Sequence, residues 1–340
     1  MKYIKTFNES QNFAEEENEI LTWLGKMGIT RQSSITIRDG GIVDVKGDVN
    51  INSLLKSSLN GRLPIRFGVV TGNFTASSLN LTTLEGCPTR VEGNFNISGN
   101  ILENLIGGPE YVKGAYFARE CKLKSLEGAP KSCLEFNCAI NQLVNLIGCP
   151  NAPILHFENN LLTSLEGSPE EIGCDQSPER IHPVFEVDRN RTLKNLIGGP
   201  KRLGKEFYTF YSLTNCGLTS LEGAPEELYG TLRIWGNENL WDPRGLKDCY
   251  VRDLHTKYNK AAEPKMWCIQ KLFPSIEKFI RSLDYNYIRE WEGKPAVVKF
   301  RLEEALSDCF EKEIEMNAYN WYRELKPYII LDENLEPFEI

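Results

Sequence analysis

Leu102-Glu-Asn-Leu105-Ile-Gly107-Gly-Pro109 is one of seven copies of the octet Leu-x-x-Leu-x-Gly-x-Pro in this chain. The others run Leu81–Pro88, Leu123–Pro130, Leu143–Pro150, Leu162–Pro169, Leu193–Pro200 and Leu218–Pro225. Their closing prolines step by 21, 21, 20, 19, 31 and 25 residues. A recurrence on this scale is the signature of stacked coils, each too small to bury its own apolar face and stable only against its neighbours.

Working upstream from the octet, Phe95 and Ile97 alternate with polar residues, the period of a short half-buried strand. Asn100 follows, giving Φ-x-Φ-x-x-Asn-x-Leu-x-x-Leu. The pattern returns at Phe136/Cys138/Asn141/Leu143 and at Leu155/Phe157/Asn160/Leu162, and in degenerate form at Leu232, Ile234 and Asn237. A buried asparagine suits a place where the chain turns inward, because its amide both donates to and accepts from the backbone. Cys121 and Cys216 occupy the same slot, and Leu79 occupies the first one. Gly86 and its equivalents allow a turn that a Cβ would obstruct, and the proline two residues on fixes φ for the return.

The residue after the second leucine alternates: Glu85, Ile106, Glu127, Ile147, Glu166, Ile197, Glu222. Equivalent places on adjacent coils lie about 4.8 Å apart. Stacked glutamates would repel by about 1 kcal/mol a pair even in water. Skipping a coil takes the spacing to about a Debye length. Descent from a duplicated two-coil unit gives the same alternation, and both causes can hold.

These features predict an α/β repeat solenoid of about eight short coils forming a parallel β-sheet, over residues 63–240. Residues 1–12 read as a flexible segment. Phe13 to Met27 has helical spacing, with Phe13, Ile20, Leu21 and Leu24 on one side and Glu15 to Glu17 near its positive end. Ile35–Ile37, Ile42–Val45 and Val49–Ile51 read as strands with glycine turns, so 13–62 is expected to be a helix and β cap. After Leu240 the repeat stops. Pro264–Leu283 and Val297–Phe310 have helical spacing, so 241–331 is expected to be a helical C-terminal cap, with an acidic tail at 332–340. The long fifth interval adds about ten residues, roughly Gly173 to Pro183, with Cys174, Asp175 and His182.

The net charge is −8. That balance argues against a surface tracking phosphates, and hence against nucleic acid as partner. No apolar run is long enough to span a bilayer, and Met1–Ser10 lacks a signal-peptide core, so the expectation is a cytoplasmic protein with no membrane partner. Ten cysteines come with no C-x-x-C pair and only three histidines. The expected state is buried free thiols rather than disulfides or a metal site. There is no phosphate loop, nucleophile elbow or H-E-x-x-H, so neither an enzyme nor a cofactor is expected.

The combination of L-x-x-L-[EI]-G-x-P with strand and Asn/Cys slots resembles leucine-rich repeats of the short bacterial type. More narrowly it is similar to leucine-rich-repeat proteins of large tailed bacteriophages. Ile42–Ile51, Leu63–Phe74 and Ser282–Ile288 are similar to those proteins' end segments, and the likeness covers roughly residues 35–310. It implies a fold and no particular reaction. Met1–Ser10 is similar to short segments that, in some such phages, direct a protein into the prohead and are cut after a glutamate, here Glu9. Short bacterial repeats are also joined to a ubiquitin-ligase domain whose cysteine is closely followed by aspartate. Cys249, Cys268 and Cys309 are followed instead by Tyr-Val, Ile-Gln and Phe-Glu.

A stacked sheet leaves one row of side chains outward on each strand. By the register above these include Asn96 and Ser98, Phe117 and Arg119, Glu135 and Asn137, His156 and Glu158, Glu186 and Asp188, Ser212 and Thr214, and Arg233 and Trp235. From these, Phe117, Arg119, Glu135, Asn137, His156, Glu158, Glu186, Asp188, Arg233 and Trp235 are the expected contacts for a protein partner on a concave face, with arginine and the aromatics as anchors. The expected function is a non-catalytic protein-interaction module binding a host or phage protein. A packaged or virion-associated structural role is the alternative.

Overall fold

The computed structural model describes residues 15–29, 34–173, 181–204, 209–240, 250–255, 288–291, 294–298 and 329–331. The chain divides into two compact units, Met1–His156 and Phe157–Ile340, and both carry repeated parallel β-coils.

The first unit begins with helix α1, residues 15–26. Ile20 and Leu24 are buried on it, as is Met27 just beyond, a spacing of four then three that makes one stripe. Leu21, expected on that stripe, is 36% exposed, because one residue on from Ile20 turns it away. Phe13 lies outside the described residues. Strands β1 (Ile35–Arg38) and β2 (Ile42–Val45) form an antiparallel hairpin. From β2 onward the pairing is parallel. Strands β3 (Val49–Asn50), β4 (Arg66–Val70), β5 (Phe74–Thr75), β6 (Arg90–Val91), β7 (Phe95–Asn96), β8 (Tyr111–Val112), β9 (Ala115–Phe117), β10 (Glu135–Asn137) and β11 (Ile154–His156) follow.

They sort into two sheets. One runs β1-β2-β4-β6-β8 and the other β3-β5-β7-β9-β10-β11. Residues 42–51, expected to belong to a cap, are therefore already a coil, with β2 on β4 and β3 on β5. A side-chain ladder holds the corner between the sheets. Asp48 Oδ1 accepts the Asn73 amide at 2.7 Å, Asn73 Oδ1 that of Asn94 at 2.8 Å, and Asn94 Oδ1 that of Ala115 at 2.8 Å.

In the second unit, β12 (Glu171–Ile172), β13 (Val184–Glu186), β14 (Arg202–Leu203) and β15 (Thr209–Ser212) lead to the seven-residue β16 (Glu227–Arg233). Strand β16 serves both sheets, Glu227 and Leu228 pairing with β14 and Gly230–Arg233 with β15. Strand β17 (Tyr250–His255) then pairs in parallel with β16, so the coil sheet continues past Leu240, where the sequence repeat stops. Here sequence period and structure part: pairing needs only an extended backbone, and the chain after Leu240 keeps the strand without the leucine turn. In the range expected to be helical, β18 (Ile288–Trp291), β19 (Lys294–Val298) and β20 (Ile329–Leu331) form a small sheet. Val297 and Val298, expected to open a helix, lie in β19, as their β-branched pairing preference favours. Pro264–Leu283 lies outside the described residues, as do residues 1–12 and 332–340.

The interior follows the repeat. Both leucines of every octet are buried, Leu102, Leu126 and Leu165 being 0%, 1% and 0% exposed. The strand aromatics stack coil on coil: Phe74 on Phe95 at 5.6 Å, Phe95 on Tyr116 at 4.9 Å, Tyr116 on Phe136 at 5.3 Å and, in the second unit, Phe185 on Tyr211 at 5.1 Å. The octet glycine has positive φ in all seven copies. At Gly128, φ 91°, a Cβ would fall 2.4 Å from the Ile106 nitrogen, so the coils approach too closely there for a side chain.

Each octet turn is closed by its third residue. Thr83, Asn104, Ser125, Asn145, Ser164, Asn195 and Ser220 each accept, on the side-chain oxygen, the amide two residues on. The alternating position lies outside: Ile106, Ile147 and Ile197 are 50%, 55% and 48% exposed. Glutamates there meet water, so their spacing is a matter of surface repulsion and not of packing.

Candidate partner-binding faces

Below the sheet face the asparagine slot works as its chemistry dictates. Asn100 Oδ1 accepts the amides of Leu79 and Leu81, both at 3.0 Å, while Nδ2 donates to the carbonyls of Ala76 and Ile97. Asn141, Asn190 and Asn237 bridge to the coil before them in the same manner. Cysteine substitutes as a donor: Cys121 Sγ donates to the Ile97 carbonyl and Cys216 Sγ to that of Val187, each at 3.2 Å. Cys87, Cys121, Cys133, Cys138, Cys149 and Cys216 are free thiols. Burial pushes Cys121 up to about 11 and Cys133 and Cys216 up to about 12. Such thiols stay protonated at neutral pH and are poor nucleophiles. Cys174, Cys249, Cys268 and Cys309 lie outside the described residues.

In the first unit, parallel register aligns Thr75, Asn96, Phe117, Asn137 and His156 in one outward row. Phe117, Asn137 and His156 are half-buried, and Arg119 is exposed. Glu135 departs from the expectation. It aligns with Ala115 and Ile154, one row earlier, so the rung beside Arg119 is filled by Ala139. The alignment of the Asn141 slot with Cys121 sets this same register, Asn137 opposite Phe117, so Glu135 was placed by alternation alone where the slot gave the rung. Glu135 nonetheless reaches forward, its Oε1 standing 3.8 Å from His156 Nε2. Arg119 Nε lies 3.8 Å from Glu120. Asn96 and Asn137 fold back, their Oδ1 atoms accepting the amides of Ser98 and Ala139. Phe117 is thus the large apolar surface of this row.

In the second unit, Glu186, Ser212 and Arg233 share a row. Asp188, Thr214 and Trp235 follow two residues later, just past the end of each strand. Glu158, Glu186, Asp188, Arg233 and Trp235 are all half-buried. Carboxylate oxygens of Glu158 and Glu186 lie within 4.8 Å of one another. Asp188 Oδ1 accepts the Thr214 amide at 2.7 Å. Burial raises the Asp188 carboxyl above its ordinary value and Glu186 adds to the rise, against the bonds from Ser212 and Thr214. At the other end the Arg233 guanidinium lies 4.2 Å from the Phe210 ring centroid and 5.3 Å from that of Trp235. Phe210 is missing from the expected contacts. It is outward by the same alternation that places Ser212, two residues later, so the signal was present in the sequence.

Among the described residues no helix is long and apolar enough to cross a membrane. No family model, no curated protein and no solved structure matches this chain.

Proposed function

We propose that this chain is a leucine-rich-repeat protein of the short bacterial type, phage-encoded, acting as a non-catalytic module that binds a host or phage protein through its outward strand rows. The observation that carries the reading is the Arg233 cluster: a guanidinium over the rings of Phe210 and Trp235, on a sheet face it shares with Glu186 and Ser212. Arginine and tryptophan held in defined geometry are the residue types that anchor protein interfaces. Phe117, half-buried in the row of Asn96 and Asn137, offers the same kind of anchor in the first unit. The module works without a cofactor, in the host cytoplasm. The test is affinity capture from infected cells with wild-type chain and with the Trp235→Ala, Phe117→Ala double variant. Capture of a specific partner by the first and not by the second, with unchanged circular dichroism, supports the assignment. Equal capture by both sinks it.

A further inference from the structure

The two ends of the second unit's face differ in charge, and this difference selects a class of partner. Glu158, Glu186 and Asp188 place three carboxylates on neighbouring rungs, two of them with oxygens within 4.8 Å. The Glu158 and Glu186 carboxylates repel at that range, and the neighbouring Asp188 carboxyl is raised chiefly by burial, with a smaller addition from Glu186. A cation brought against them relieves that repulsion, whereas an acidic partner adds to it. Arg233 stands on the same sheet but is stacked on Phe210 and Trp235. Asp188 and Trp235 lie two strand spacings apart, about 10 Å. An extended peptide crossing the strands covers that distance in about three residues.

We propose that this face takes an extended segment of the form (Lys or Arg)-x-x-aromatic, its cation against Glu158, Glu186 and Asp188 and its ring against Trp235 and Arg233. The proposal rests on the reading of the outward rows as a protein-binding surface and names the partner's chemistry. The ring packs on the Trp235 indole and extends the cluster that Phe210, Arg233 and Trp235 form. The cation gains charge-assisted hydrogen bonds in a partly dry setting.

The experiment is selection from a yeast-displayed library of random peptides of about twelve residues, long enough for an extended segment, using the full chain. Enriched sequences are expected to carry lysine or arginine three residues before an aromatic. Their affinity is expected to fall about tenfold in Glu186→Gln and in Asp188→Asn, and to weaken as salt rises. Enrichment of acidic or uncharged peptides, unchanged affinity in Glu186→Gln, or no enrichment at all overturns the proposal. The Trp235→Ala variant separates the two levels. Uncharged peptides that need Trp235 leave the face in place and remove only the basic motif. Peptides that bind Trp235→Ala undiminished remove the face itself. Circular dichroism of each variant guards against loss of fold, and Glu186→Gln serves should Asp188→Asn disturb the Thr214 contact.

Discussion

Asn141 Nδ2 donates to the carbonyl of Ala118 at 2.9 Å, tying one coil to the coil before it through a single buried amide. The same group donates to the Cys138 carbonyl, and its Oδ1 accepts the amides of Cys121 and Leu123. Replacing it with leucine strands four backbone groups in a dry wall, at about 1–3 kcal/mol for each left without a partner. Asn141→Leu is therefore expected to lose at least about 3 kcal/mol in urea unfolding. Asn141→Cys is expected to lose clearly less, because Cys121 fills the equivalent slot by donating to the Ile97 carbonyl. Equal losses for the two would mean that slot volume, not hydrogen bonding, sets the cost.

How far the sequence spoke depended on whether a requirement fell on a side chain or on the backbone. The slot asparagine and the octet glycine have few chemical substitutes, so the recurrence exposes both. The residue before each slot shows the opposite. Ser78, Glu120, Ile140, Asn159, Arg189 and Asn215 all have positive φ there, as do Gly99 and Gly236. Glycine and asparagine, which suit that conformation, fill only four of the eight places, because the slot bonds and the neighbouring coils impose the conformation and the other side chains tolerate it. Glu135 was misplaced for another reason: alternation gives the face but not the rung, and the rung is set by the alignment of the Asn141 slot with Cys121. Strand β17 escaped because the sequence reading leaned on a leucine turn that the last pairing does not require.

Ile140 is the most costly occupant of that left-handed place. Its φ is 57° and it is 37% exposed, so it bears the crowding of a branched Cβ with little burial in return. Asn159 and Asn215 hold the same conformation with a residue that tolerates it. Ile140→Asn is expected to raise stability by about 1 kcal/mol, and Asn159→Ile to lower it by a similar amount. Denaturant midpoints of the pair check this, and a loss in Ile140→Asn would refute the assignment of strain.

The buried thiols set an alkaline limit. Cys121, Cys133 and Cys216 titrate at about 11, 12 and 12 when folded, against 9.0 when unfolded. The folded chain therefore holds protons that the unfolded chain releases above pH 9.0. Their contribution is whole below that pH and is lost as pH rises toward the folded values. Stability measured by urea should fall across this window, and Cys216→Ala should flatten the fall. At pH 8 an aromatic disulfide reagent should leave these three thiols unmodified until denaturant is added. Fast labelling of the folded chain would contradict their burial.

Asp188 carries the same linkage in the acid range, and there stability and binding pull apart. Its carboxyl is raised from 3.8, chiefly by burial, so the folded state holds its proton more tightly than the unfolded one. Stability from this group is present below pH 3.8 and is lost as pH rises through the folded value. At neutral pH the half-buried charge is thus a cost. Asp188→Asn keeps an oxygen that can accept the Thr214 amide and removes that cost. The variant should be more stable than wild type at pH 7, with the gain vanishing as the pH falls below 3.8, the carboxyl's ordinary value. If the carboxylate is there to meet a cationic partner, the same substitution should weaken basic peptides while strengthening the fold. Thermal unfolding of both proteins at several pH values, beside peptide titrations, measures the two effects separately. A variant that is less stable at neutral pH would show that the Thr214 bond, not burial, dominates at this position.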